Sequence, residues 1–181
     1  MTADESSILQ NYRDGNKDVA FNLLVRSYGK RLYWHIRQMV ASHEDTDDIL
    51  QNTFIKIWRS LDSFRGESGL YTWLYKIATN ESITFLNKER SKNKFSFTSF
   101  EHKLSNSLTV TNDFKGDDIQ LALSREVLRL PDKQKAIFSL RYYQEMDYKE
   151  IAEILDISPD AAKASYSVAY KKIEAALKEK F

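Results

Sequence analysis

Residues that break helices are scarce in this chain, and that scarcity restricts its fold more than any other feature. Only five glycines and two prolines occur in 181 residues, while apolar residues recur three and four positions apart through most of the sequence. This spacing gathers apolar side chains on one face of an α-helix. We therefore predict an all-α protein whose N-terminal helices cover residues 6–14, 17–40, 45–60 and 69–90.

Residues 91–117 have a different character. They are rich in Ser, Asn, Thr and Lys, and they show no sustained helical period. We interpret this segment as a flexible linker between two small helical domains, residues 1–90 and 118–181. The overall hydrophobic content of 42% is sufficient to give folded cores.

The second domain carries a helix-turn-helix pattern. Asp147-Tyr148-Lys149-Glu150 matches a capping box, and Ser158-Pro159 matches an N-cap followed by proline at the first helical position. Asp156 occupies the turn, where many such motifs have glycine, and aspartate tolerates the left-handed conformation better than most residues. The pattern predicts a motif that binds duplex DNA, with an ordinary helical hairpin as the alternative.

Residues 61–80, LDSFRGESGLYTWLYKIATN, combine a small-residue turn, an aromatic helix and a final amide. Aromatic rings stack on unpaired bases and contribute about 1–3 kcal/mol per base, while an amide can bind a base edge. On a helix that starts near Gly69, Trp73, Lys76 and Asn80 share one flank. Trp73 could also face the core, and Tyr71 and Tyr75 fit core packing as well as they fit stacking.

Charge and composition limit the other possibilities. The formal net charge of +1 argues against nonspecific coating of nucleic acid, so any contact must be local, as at the basic residues Lys88, Arg90 and Lys92. The absence of cysteine fits a reducing compartment. We find neither a signal peptide nor a run of about twenty apolar residues, and we expect a cytoplasmic protein.

Three segments together, DTDDILQNTFIKIW, LDSFRGESGLYTWLYKIATN and LPDKQKAIFSLRYYQEMDYKEIAEILDIS, resemble bacterial RNA polymerase sigma factors of the extracytoplasmic-function (ECF) group. The resemblance covers nearly the whole chain. It implies promoter recognition and DNA melting for transcription initiation. The sequence has no Ser-His-Asp or Gly-rich phosphate-loop signature, so we expect no enzymatic activity and no cofactor or metal. The implied partners are core RNA polymerase, through its beta-prime clamp helices and beta flap, promoter DNA, and an anti-sigma factor.

The resemblance also implies roles for individual residues. The helix that contacts polymerase would be the one that carries Asp47, Asp48, Gln51, Asn52, Phe54 and Trp58. For Phe54 and Trp58 the alternative is burial in their own domain, and Asn52 replaces the acid usual in this family. The minus 10 element would be held as single-stranded DNA, with a flipped base bound by Asn80 and by the loop around Asp62, Ser63, Phe64, Arg65 and Gly66.

The minus 35 duplex would be read by the helix-turn-helix. Our candidates on its second helix and N-cap are Ser158, Lys163, Ser165 and Lys171. Few of these can make bidentate guanine contacts, so we expect weak base readout. Recognition would then rely on phosphates, thymine methyl contacts and DNA shape, or a further partner would help to bring the polymerase to DNA.

Two other functions compete with this interpretation. A two-domain regulator of duplex DNA would explain residues 118–181, but it leaves the 61–80 segment unexplained. A helical metalloenzyme could use His35, His43 and the acidic residues 44–48, but these acids also fit the N-terminus of a helix, where the macrodipole favours negative charge.

Overall fold

The computed structural model describes residues 3–40, 42–64, 69–92 and 118–181. These ranges contain eight α-helices and no strand, as predicted. The N-terminal helices are α1 (Ala3–Arg13), α2 (Lys17–Val40), α3 (His43–Ser60) and α4 (Leu70–Lys92), with a short 3-10 turn at Leu61–Ser63. The C-terminal helices are α5 (Asp118–Arg129), α6 (Asp132–Tyr142), α7 (Tyr148–Leu155) and α8 (Pro159–Lys178).

Helix α4 ends two residues later than predicted. It ends at Lys92, whereas the linker was expected to begin at residue 91. The last turn is supported by a hydrogen bond from Ser91 Oγ to the carbonyl of Asn87 and by an ion pair of 3.1 Å between Lys92 and Glu89. The remainder of the predicted linker, residues 93–117, lies outside the described residues.

Helix α3 shows how local sequence sets the orientation of a surface. Ser42 is the N-cap, and its side chain accepts a hydrogen bond from the backbone N–H of Asp45. Thr46, Ile49, Thr53 and Ile57 are buried at helical spacing and face the N-terminal core. The opposite side of α3 is therefore left for polar residues.

The helix-turn-helix forms at the predicted turn. Asp147 and Glu150 make both hydrogen bonds of the capping box at the start of α7. Asp156 ends that helix at φ 54° and ψ 54°, in the left-handed region. Ser158 then caps α8 by accepting a hydrogen bond from Ala161 N–H. Each capping contact contributes about 1 kcal/mol, so the motif is specified locally.

The two helical units pack against each other through one continuous apolar core. Leu140 of α6 and Ile151 and Ile154 of α7 belong to the same buried cluster as Leu74 and Leu86 of α4. A second cluster, which includes Val127, Phe138 and Ile173, lies within the C-terminal helices. We call the packing of the C-terminal helices on α2 and α4 the closed arrangement.

Polar contacts also cross this interface. Tyr75 of α4 donates a hydrogen bond of 2.7 Å to Gln144, and Arg90 forms an ion pair of 2.5 Å with Asp132. The ammonium of Lys135, a residue only 1% exposed, lies 3.4 Å from the carbonyl oxygen of Met39 at the end of α2. Burying a lysine is costly unless acceptors face its charge. The closed arrangement therefore depends on a specific set of partners as well as on apolar contact.

His35 connects three helices at the centre of the interface. Its Nε2 lies 2.8 Å from Thr79 Oγ1 on α4, and its Nδ1 lies 3.3 Å from Ser139 Oγ on α6. The Ser139 hydroxyl donates to Gln38 Oε1 at 2.9 Å, so Nδ1 carries the hydrogen and donates to Ser139 while Nε2 accepts from Thr79. Burial lowers the pKa of His35 to about 3 and keeps the ring neutral.

Acid should therefore weaken the fold through His35. Its pKa is lower in the folded chain than the ordinary 6.5, so the stability it contributes is complete above pH 6.5 and is lost as the pH falls towards 3. At pH 4.5 the loss amounts to about 2–3 kcal/mol. Urea unfolding at pH 7 and pH 4.5 should show a smaller acid loss for His35→Gln than for the wild type. Equal losses in the two proteins would show that His35 does not control this acid sensitivity.

Candidate nucleic-acid interface

Two aromatic rings lie together where α4 begins. The ring centroids of Phe64 and Trp73 are 4.9 Å apart, with an interplanar angle of 47°. Phe64 follows the 3-10 turn, and its backbone N–H donates to the carbonyl of Leu61. Both side chains are half-buried. The pair thus presents aromatic surface to solvent from a supported position, which is the arrangement that stacking on an unpaired base requires.

The predicted flank of α4 is confirmed as a surface. Lys76 is half-exposed and Asn80 exposed one turn and two turns beyond Trp73, while Leu74 and Ala78 on the other side are fully buried. The flank therefore offers aromatic, cationic and amide groups in one line along the helix. Arg65, which we predicted beside them, lies outside the described residues.

Tyr71 and Tyr75 belong to the packing of the molecule. Tyr75 is fully buried, and its burial raises the pKa of the phenol. The Tyr71 ring lies 4.6 Å from that of Tyr75 and 6.3 Å from that of Tyr28. The sequence is compatible with either base stacking or core packing for both tyrosines. Tyr75 packs in the core, and Tyr71 is half-buried against Tyr75.

The basic end of α4 is partly occupied by ion pairs. Lys88, Arg90 and Lys92 are all exposed, but Arg90 is paired with Asp132 of α6 and Lys92 with Glu89. Surface pairs of this kind contribute little stability and exchange readily for other anions. Phosphates could therefore compete for these side chains, although in the closed arrangement Arg90 is engaged with the C-terminal helices.

One face of α3 is polar and exposed. Asp47, Asp48, Gln51 and Asn52 are all exposed, opposite the buried stripe of the same helix. Phe54 and Trp58, which the resemblance also associated with this surface, are half-buried. The ring centroid of Phe21 lies 6.2 Å from that of Phe54 and 5.1 Å from that of Trp58, so these two side chains pack within the N-terminal helices.

The four candidates on the helix-turn-helix differ in accessibility. Lys163 and Lys171 are exposed along α8, whereas Ala162, Ala169 and Ile173 are buried. Ser165 is half-buried. The Ser158 hydroxyl oxygen accepts the capping hydrogen bond, so a contact with DNA must coexist with that bond.

Some contacts beside the aromatic pair were missed by the sequence interpretation. Tyr12 and Lys17 both bind the carboxylate of Asp62, just before Phe64. They are 50 and 45 residues away from it in sequence, and no local pattern could have indicated that the three meet.

The described part of the chain shows neither a metal-binding cluster nor a membrane-spanning helix. There, no group of three or more His, Cys, Asp or Glu side chains is arranged to hold a metal ion. No helix in the same ranges combines the length and the apolar character needed to cross a bilayer.

Two family models match successive parts of the chain. A family model described as Sigma-70 region 2 matches residues 24–92, and one described as Sigma-70, region 4 matches residues 120–173. The ECF RNA polymerase sigma-E factor of Haemophilus influenzae is 31% identical over 160 residues, covering 84% of each chain. The RNA polymerase sigma-H factor of Pseudomonas aeruginosa is 25% identical over 181 residues, covering 96% of this chain and 93% of its own.

Solved structures share the fold. CnrH in complex with the cytosolic domain of CnrY has a TM-score of 0.69 at 23% identity, over 98% of this chain and 99% of that one. The sigma factor RpoE in complex with the anti-sigma factor NepR from Bartonella quintana has a TM-score of 0.68 at 20% identity, over 87% of this chain and 96% of that one. The two matched regions, in their order, and the identity to relatives over most of their length show that the chain belongs to the ECF RNA polymerase sigma factors, which recognise promoters and initiate transcription.

Proposed function

We propose that region 2 of this sigma factor, within residues 1–90, captures an unpaired base of the minus 10 element on the flank formed by Phe64, Trp73, Lys76 and Asn80. The observation that carries this proposal is the position of the Phe64 and Trp73 rings, 4.9 Å apart and half-exposed at the start of that flank. A base stacked there would gain about 1–3 kcal/mol. Asn80 would bind its edge, and Lys76 would contact the backbone.

The exposed face of α3 is our candidate for binding core polymerase. Asp48 and Asn52 lie four residues apart, with Gln51 between them on the same side. This face carries acids and amides, whereas the opposite face is fixed in the core. These acidic and amide side chains suit a basic, polar surface on the partner. We take that surface to be the beta-prime clamp helices.

Replacing Asp48 and Gln51 together by alanine should weaken core polymerase binding by about thirtyfold, because two interface side chains at about 1 kcal/mol each amount to that factor. Fluorescence anisotropy with labelled sigma factor would measure it. Both side chains are exposed, so the unfolding midpoint should not change. The matched control is Asp18→Ala with Asn22→Ala, an exposed acid and amide on α2. Equal weakening by both double variants would contradict a specific role for α3.

Region 4, within residues 118–181, would bind the minus 35 duplex through α8 and contact the beta flap. Lys163 and Lys171 are exposed along α8 and suit phosphate contacts. Ser165, which is half-buried, can add little base readout. Recognition would then depend largely on backbone contacts and DNA shape.

An anti-sigma factor is a further proposed partner. RpoE, which shares this fold, is described in complex with the anti-sigma factor NepR, and CnrH, which also shares it, is described in complex with the cytosolic domain of CnrY. We extend this to the present chain as a class of partner, and we expect the sigma factor to work in the cytoplasm.

The closed arrangement must open for this function. The two promoter elements are centred about 25 base pairs apart, which is about 85 Å of B-form DNA. A compact chain of 181 residues is only about 40 Å across. Fully extended, residues 93–117 could span at most about 80–90 Å. Regions 2 and 4 can therefore reach both elements only after they separate.

The decisive test of the proposed function is transcription from a promoter library by core polymerase with and without this chain. We expect RNA from a subset of promoters that share a minus 10 sequence and depend on the added chain. Absence of any dependent transcript would refute the proposal.

A further inference from the structure

Helix α1 and the start of α2 contact the chain shortly before each ring of the aromatic pair. The Tyr12 hydroxyl donates to Asp62 Oδ1 at 2.8 Å, and Lys17 Nζ, at the start of α2, donates to Asp62 Oδ2 at 2.7 Å. In the first turn of α4, Glu5 Oε1 accepts a hydrogen bond of 3.4 Å from the backbone N–H of Tyr71. Glu5, Tyr12 and Lys17 thus bind two positions, Asp62 and Tyr71, which are nine residues apart in the chain.

The two held points determine where the aromatic rings lie. Asp62 is two residues before Phe64, and Tyr71 is two residues before Trp73. The carboxylate of Asp62 is bound through both oxygens, which fixes its orientation as well as its position. Hydrogen bonds from Lys17 and then from Tyr12 lower the pKa of Asp62, so it stays ionised.

Glu5 acts at the start of α4. It is buried, and its carboxylate faces the first turn of the helix, where backbone N–H groups have no intrahelical partner and the macrodipole favours negative charge. It therefore caps α4 from a different helix. The region 2 family model begins only at residue 24, so Glu5, Tyr12 and Lys17 all lie outside the matched segment.

We propose that α1 and the start of α2 form a positioning element for the minus 10 reader, in which Tyr12, Lys17 and Glu5 set the relative placement of Phe64 and Trp73 without touching DNA. This inference rests on the proposed function of the aromatic pair. In this inference Asp62 is an anchor, because protein side chains bind its carboxylate. The expected consequence of losing the anchor is a base-capture defect with the fold intact.

Tyr12→Phe is the sharpest variant, because it removes only the hydroxyl and leaves the ring packed against the core. We expect open-complex formation, measured by permanganate footprinting with core polymerase, to fall about two- to tenfold, the range supplied by one hydrogen bond. Core polymerase affinity should equal that of the wild type, and the variant should remain folded under the assay conditions, with at most a small fall in the unfolding midpoint. The control is Gln10→Ala on the same helix, which loses a bond to Asp14 but none to Asp62, and should form open complexes normally.

A double-mutant cycle with Trp73→Ala separates positioning from general stability. If Tyr12 acts through the ring pair, Tyr12→Phe should cause no further loss in the Trp73→Ala background. Fully additive losses, or an equal defect in core binding, would overturn the inference. A defect for Trp73→Ala but none for Tyr12→Phe would reject the positioning role alone. Normal open complexes with Trp73→Ala would reject both this inference and the proposed function on which it rests.

Discussion

Trp73→Ala and Asn80→Ala should each reduce open-complex formation by this sigma factor while leaving its affinity for core polymerase unchanged. Trp73 provides the half-exposed ring that lies against Phe64, and Asn80 is exposed on the same flank two turns along α4. Loss of a stacking partner is worth about 1–3 kcal/mol, which corresponds to about a five- to 150-fold reduction. Permanganate reactivity of the minus 10 region, measured at saturating core enzyme, would report this change.

The location of the defect can be tested on the same helix. Asn87 is an exposed amide two turns beyond Asn80 on α4, so Asn87→Ala removes a similar side chain at a distance from the aromatic pair. It should melt the promoter as well as the wild type does. If Asn87→Ala and Asn80→Ala had equal defects, the effect would belong to the whole helix and not to a base-binding site.

A second readout distinguishes capture of a base from contact with the backbone. On a fork template that lacks the base at the captured position, the wild type should lose affinity. Trp73→Ala should lose much less, because the stacking partner is already absent. Wild-type binding that ignores removal of the base at every minus 10 position would contradict stacking on this flank.

Local features of this fold were predictable from the sequence because the interactions behind them are short-range. The capping box at Asp147, the left-handed turn at Asp156 and the cap at Ser158 involve residues at most four apart, and all three formed as predicted. The flank of Trp73, Lys76 and Asn80 followed from helical periodicity alone. The end of α4 was less predictable, since no glycine or proline marks it.

The closed arrangement could not be predicted in the same way. Lys135 and Met39 are 96 residues apart, and a lysine in a polar stretch of sequence is normally assigned to the surface. Tyr75 is part of the aromatic segment that suggested base stacking, yet its hydroxyl binds Gln144 of the C-terminal helices. Contacts of this range depend on how finished helices pack, which periodicity does not determine.

The Lys135→Glu substitution should open the closed arrangement. In the wild type the buried ammonium faces the Met39 carbonyl oxygen at 3.4 Å and the Asp132 carboxylate at 3.8 Å, and burial lowers the pKa of Lys135 to about 8. A glutamate would face the same two acceptors with a negative charge and no donor. An uncompensated buried charge costs about 3–5 kcal/mol, enough to separate the packed helices.

Small-angle scattering should then show a radius of gyration clearly above the roughly 16 Å expected for a compact chain of this length, with helical content unchanged. Lys133→Glu is the matched control, because it makes the same charge change on the exposed side of α6. It should remain compact. An equally compact Lys135→Glu protein would show that this lysine does not hold the two regions together.

The same variant connects the closed arrangement to function. If polymerase can bind both regions only in the open form, its apparent affinity is reduced by the fraction of molecules that are open. Lys135→Glu should therefore bind core polymerase more tightly than the wild type, whereas Lys133→Glu should bind equally well. Tighter binding that accompanies a larger radius of gyration would identify the interface of α2 and α4 with α6 as a barrier to polymerase binding. An expanded variant that binds no more tightly would mean that separation of the two regions is not a step that limits assembly.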